Sequence, residues 1–179
     1  DALSLQPEMP QGVRNYITPD GYQRLQKELL ELVDVMRPQL LQHEQNSAQE
    51  TSLEFDPERT LREIDQRIHY LQTRLETAEI VDPSVHDDGE QIFFGASVVY
   101  EKADGETHTV TIVGLDELDP AHGRISWLAP LAQTLLGAHE GDTVLLESPA
   151  GAEELQIMRV RYPHPVSYTH LRAHETRGN

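Results

Sequence analysis

The sequence predicts an α+β protein: an N-terminal antiparallel coiled-coil helical hairpin followed by a small antiparallel sheet that carries one short helix. Two stripes predict the hairpin. Leu61, Ile64, Ile68, Leu71, Leu75 and Ala78 recur at alternating three- and four-residue spacing, and Tyr22, Leu25, Leu29, Leu32 and Met36 do so upstream. Residues so spaced line one side of a helix, and two such seams joined by a short polar segment close on each other antiparallel. The sheet is predicted by a change of period. From Gln91 onward apolar residues alternate, as in strands with one buried face.

In chain order, residues 1–15 hold Pro7, Pro10 and Gly12 without periodicity and read as a flexible leader. The hairpin spans 16–81. Thr18 is placed to cap its first helix, Pro19 sits where a missing N–H costs nothing, and Asp20 faces the positive end of the dipole. Arg37-Pro38 should bend this helix rather than end it, because Leu40, Leu41 and Gln42 favour helix. Beyond Met36 the stripe runs onto Gln39, His43 and Asn46, which predicts loose packing towards a tip between about Gln45 and Pro57. Asp56, Pro57 and Glu58 open the second helix, which runs to about Glu79 and spans roughly 35 Å.

Residues 82–91 form a linker, and 92–163 a second domain. Strands are predicted at Phe94 to Tyr100, Thr107 to Leu115, Gly123 to Leu128, Thr143 to Glu147 and Glu154 to Tyr162. Ala103-Asp104-Gly105 and Pro149-Ala150-Gly151 supply turns, and Pro130 to Gly137 a short helix lying across the sheet. Trp127, Phe93 and Phe94 read as core, with an exposed member able to anchor a partner. Residues 164–179 differ in period and acidity from what precedes them and resemble translated sequencing-adapter sequence. His170 and His174 have the spacing of a metal pair, but in such a tail they are set aside from function.

Composition excludes several classes. The 179 residues include no cysteine, so thiolate chemistry, disulfides and Cys-based zinc sites are absent. No apolar run is long enough to span a bilayer, and the first residues lack the basic and apolar regions of a signal peptide, so a cytoplasmic protein is expected. A net charge of −17 opposes bulk binding to nucleic acid. Arg59, Arg62, Arg67 and Arg74 are interleaved with Glu58, Glu63, Asp65 and Glu76 and read as a solvated helix flank. His69 and Tyr70 read as packing residues beside the seam.

Six short strings in order carry a family likeness: Asn15-Tyr16-Ile17-Thr18-Pro19, Arg37-Pro38, Leu61-Arg62-Glu63-Ile64-Asp65-Gln66-Arg67-Ile68, Phe93-Phe94-Gly95-Ala96, Arg124-Ile125-Ser126-Trp127 and Gly141-Asp142. Over residues 15 to about 162 the chain resembles the GreB branch of the Gre family of bacterial transcript-cleavage factors. The resemblance implies an FKBP-like C-terminal domain that docks on bacterial RNA polymerase, and a monomer whose hairpin enters the secondary channel. It implies no cofactor of the factor's own. In the family, tip carboxylates hold a Mg2+ of the polymerase active site, because hydrolysis of a backtracked transcript uses two metals about 4 Å apart and Mg2+ takes hard oxygen ligands. The polymerase remains the enzyme.

Counted back from Leu61, the family's tip Glu falls on Glu50, but its Asp falls on Ser47, its Asn on Thr51 and the next Asp on Leu53. The tip is also about five residues shorter, and half of that per arm removes roughly 4 Å of reach. Glu50 is the candidate metal-contacting residue, with Glu54 or Asp56 as a second ligand. Asp56 has a second reading as a helix cap, Glu58 as a first-turn charge and Glu54 as a solvated loop residue. Gln66 and Gln72 stand where the family has basic side chains, so contact with nascent RNA is expected to be weak. The resemblance therefore leaves two functions: a factor promoting cleavage of backtracked transcripts, and a non-catalytic channel binder that competes with such factors or modulates transcription. A generic coiled-coil adaptor, dimeric and without affinity for polymerase, is a third reading.

Overall fold

The computed structural model describes residues 6–46, 56–86 and 89–163. The chain divides into two compact units, one of Asp1–Val13 and Tyr22–Ala78, the other of Arg14–Gly21 and Glu79–Asn179.

The first unit is a helical hairpin. Helix α1 (Pro19–Glu31) begins where the Thr18 hydroxyl accepts the Gly21 N–H at 3.1 Å. A π turn, Leu32–Met36, follows, and helix α2 (Arg37–Asn46) continues through Pro38. Pro38 has no N–H to give and its ring crowds the carbonyl four residues back, so the preceding turn widens, with the Arg37 N–H reaching the Leu32 carbonyl. Helix α3 (Pro57–Thr77) starts at Asp56, whose side chain accepts the N–H groups of Glu58 at 3.1 Å and Arg59 at 3.3 Å.

The π turn corrects the expected seam. It takes in one residue more than an α turn, so every later side chain swings round by about 100° relative to an unbroken 3.6-residue period. Met36 is left 42% exposed, and Leu40 is buried at 8%. The seam thus regains an apolar residue beyond Met36, where Gln39 was expected. The same rotation turns Arg37 to α3, where its Nε meets Asp65 at 2.8 Å.

A second correction concerns the basic residues of α3. Its buried face runs through Ile64, Arg67, Leu71 and Arg74, so two of the four arginines read as solvated are inside. Arg67 forks onto both oxygens of Glu28 at 2.7 and 2.9 Å. The Arg74 guanidinium donates to the carbonyl of Pro7, which also accepts the Tyr70 hydroxyl at 3.3 Å. Between them lies the half-buried Tyr70 ring, 5.1 Å from one guanidinium carbon and 4.9 Å from the other.

The second unit holds two sheets. Strands β1 (Asn15–Ile17) and β2 (Ala78–Ile80) pair as a small one. The larger has strands β3 (Ser97–Lys102), β4 (Thr107–Val113), β5 (Arg124–Ser126), β6 (Thr143–Ser148) and β7 (Gly151–Arg161), in the order β5-β4-β3-β7-β6. The β3–β4 turn closes through Gly105 at φ 87°, and the Asp104 carboxylate accepts the Glu106 N–H at 2.8 Å. The β6–β7 hairpin turns at Pro149-Ala150, with Ser148 paired to Gly151.

The sheet is not wholly antiparallel. β4 and β5 run parallel, Thr111 to Val113 against Arg124 to Ser126, because two 3-10 turns, Leu115–Glu117 and Pro120–His122, carry the chain back to the start of β4's pairing edge. Helix α4 (Pro130–Leu135) buries Ala132 and Leu135 among Ile92, Val98, Tyr100, Ile112, Leu155 and Ile157. This arrangement gives the unit a core of its own.

Candidate functional site

Of the tip carboxylates singled out from the sequence, Glu50 and Glu54 lie outside the described residues. Asp56 is exposed, and its Oδ1 serves as the cap of α3. Below it, the Arg59 Nε pairs with Glu63 at 3.3 Å on the solvent side. Among the described residues no three His, Asp or Glu side chains stand close enough to hold a metal ion.

In the second unit the aromatic residues separate by role. Trp127 is half-buried against the core and meets the Tyr16 ring edge-on at 5.0 Å, and Phe94 lies 5.8 Å from Tyr16 on another side. Phe93 is not core as expected. It is 38% exposed and stacks on the His86 ring at 4.5 Å. Its N–H donates to the Tyr162 hydroxyl at 2.8 Å, and that hydroxyl donates to the Gln91 carbonyl. Burial raises the Tyr162 hydroxyl above its ordinary value.

The 3-10 turns after β4 carry two polar clusters. Asp119 sits 2.7 Å from the His122 ring nitrogen and 3.8 Å from Arg124, and the His122 hydrogen bond holds its carboxyl below its usual value. Glu117, at 4% exposure, accepts the N–H groups of Gly114 at 2.8 Å and Thr18 at 3.1 Å, and the Thr18 hydroxyl. Nothing in the sequence around Leu115-Asp116-Glu117 marks Glu117 as interior. The usable signal lies in its partners: Gly21 follows the capping Thr18 by three residues, and Gly114 ends an apolar strand.

Both halves of the chain match models of one family. Residues 15–80 match "Transcription elongation factor, N-terminal" and residues 86–162 match "Transcription elongation factor, GreA/GreB, C-term". The chain belongs to the GreA/GreB family of transcription elongation factors. Within it the chain is GreB-like. It is 44% identical over 159 residues to transcription elongation factor GreB of Neisseria meningitidis serogroup A, covering 86% of this chain and 98% of the relative. It is 36% identical to GreB of Pseudomonas putida, covering 86% and 97%. Among solved structures, GreA factor homolog 1 (Gfh1) of Thermus thermophilus is 26% identical, covering 83% of this chain and 99% of that one, with a TM-score of 0.37. No helix among the described residues is long and apolar enough to cross a membrane.

Proposed function

We propose that this protein binds bacterial RNA polymerase, inserts its hairpin as a coiled coil into the secondary channel, and promotes cleavage of backtracked transcripts. One observation carries the proposal: both family models match in order along the chain, and nearly the whole of a GreB relative is covered. The second unit, with α4 packed into its five-stranded sheet, is the FKBP-like docking domain in this reading. The chain acts as a cytoplasmic monomer with weak contact to RNA, and the catalytic Mg2+ belongs to the polymerase.

Glu50 is proposed as the residue that contacts that Mg2+, with Glu54 or Asp56 second. The donor chemistry suits the ion, since carboxylate oxygens are what Mg2+ accepts. Asp56 already uses Oδ1 to cap α3, so it fits less well than Glu50. A second reading, a non-catalytic occupant of the channel, is favoured by Ser47, Thr51 and Leu53 at the tip, none of which carries a charge.

Cleavage in a stalled, backtracked complex of bacterial RNA polymerase with Mg2+ separates the two. The protein is expected to speed cleavage, and Glu50→Ala to abolish the gain. No stimulation, together with slower cleavage when the protein competes with an active Gre factor, would establish the channel occupant instead.

A further inference from the structure

Glu117 is a buried carboxylate far in sequence from the tip, and its environment is built around it. It lies on the 3-10 turn after β4 and accepts from Gly114 N–H, Thr18 N–H and the Thr18 hydroxyl. That hydroxyl in turn caps α1 through the Gly21 N–H at 3.1 Å. A Cβ on Gly21 would stand 2.2 Å from the Glu117 carboxylate, and one on Gly114 2.1 Å from the Tyr16 carbonyl oxygen. Thr18, the cap of α1, is thus held by charge-assisted bonds, and the missing side chain of Gly21 lets the Glu117 carboxylate lie against the first turn.

We propose that Glu117 is a positioning residue: it restricts the angular freedom of α1 at its root and so sets where the distant tip arrives. This inference rests on the function proposed above. The helical run from Pro19 to Asn46 is about 40 Å long, so about 5° of play at the root moves its far end by about 3.5 Å. A metal–oxygen bond is about 2.1 Å and tolerates little stretch. Play of that size at the root is therefore larger than the distance over which a tip carboxylate works.

The chain has no cysteine, so cysteines introduced at the exposed positions Gln42 and Thr107 can carry a clean pair of spin labels. Glu117→Gln and Thr18→Val are each expected to broaden the distance distribution between the labels. Thr18→Ser, which keeps the hydroxyl, is expected to restore it. Unchanged widths in both broadening variants would overturn the proposal. Should Glu117→Gln lose its helical signal, Thr18→Val and Thr18→Ser decide.

In the cleavage assay, Glu117→Gln is expected to lower maximal stimulation by about 10-fold or more while the half-saturating factor concentration stays within about 3-fold. A variant that reaches wild-type maximal stimulation, or whose loss lies wholly in the half-saturating concentration, would show that Glu117 does not position the tip. If the wild-type protein fails to stimulate, the proposed function falls and the label distances still test the clamp.

Discussion

Arg67 shows how a charged side chain becomes part of a core. At 7% exposure its guanidinium is held by both oxygens of Glu28 and covered on one face by Tyr70. Removing Glu28 leaves a buried cation without its planar partner. The Glu28 side chain is 33% exposed, so water screens part of the loss, and Glu28→Ala is expected to cost about 2 to 3 kcal/mol. Arg67→Met removes the charge with the need for a partner and should cost less, about 1 kcal/mol. Urea unfolding followed by helical signal measures both, and an Arg67→Met cost above that of Glu28→Ala would refute the assignment. The sequence did not reveal this pair. Arg67 sits one position before Ile68 of the heptad stripe, and arginine at a flank is normally solvated; only the rotation of α3 that centres Ile64 and Leu71 turns it inward. Asp56 was legible because a cap is local: the N–H groups it satisfies lie two and three residues on.

The π turn at Leu32–Met36 behaves as a one-residue insertion in an otherwise regular helix. Deleting Val35 together with Pro38→Ala, which removes the cause of the widened turn, should restore an unbroken α-helix while leaving α2 in its present phase, because Leu32 and Leu40 would then stand seven residues apart. That variant is expected to melt no lower than the parent. Deleting Gln39 keeps the π turn but swings Leu40 out of the seam, and is expected to cost about 2 kcal/mol, as for a buried leucine truncated to alanine. Thermal melts of the two deletions test this directly, and a larger loss for the Val35 deletion would sink it. The starts of α1, α3 and α4 and the two hairpin turns were readable because caps, prolines and glycines act within a few residues. The phase shift was not, since Pro38 announces a disturbance but does not say whether the chain bends or takes in an extra residue. The parallel pairing of β5 was equally hidden: Arg124-Ile125-Ser126 has no feature of its own that fixes direction, which is set by how the two 3-10 turns return the chain. The candidate tip carboxylates rest on family likeness alone, because Glu50 and Glu54 carry no local pattern that separates a ligand from a solvated acid.

Each unit of the molecule closes its own core: Leu25, Leu32, Leu40, Ile64 and Leu71 in the hairpin, and Ile92, Val98, Ile112, Leu135, Leu155 and Ile157 around the five-stranded sheet. Cooperative unfolding follows shared buried surface, so two separate cores predict two transitions rather than one. The chain offers a clean pair of probes. Its single tryptophan, Trp127, reports on the sheet unit, while the far-ultraviolet helical signal is dominated by α1, α2 and α3. Leu71 is fully buried in the hairpin, and Leu71→Ala should remove about 2 to 5 kcal/mol from that unit alone. The helical melt is then expected to fall by several degrees or more while the Trp127 fluorescence transition stays where it is. If both signals shift together, the two units unfold as one and their cores are coupled. If only the helical melt moves, the hairpin can be retuned in packing or length without disturbing the sheet unit, which is the freedom a family needs to vary its tip while keeping the domain that carries it.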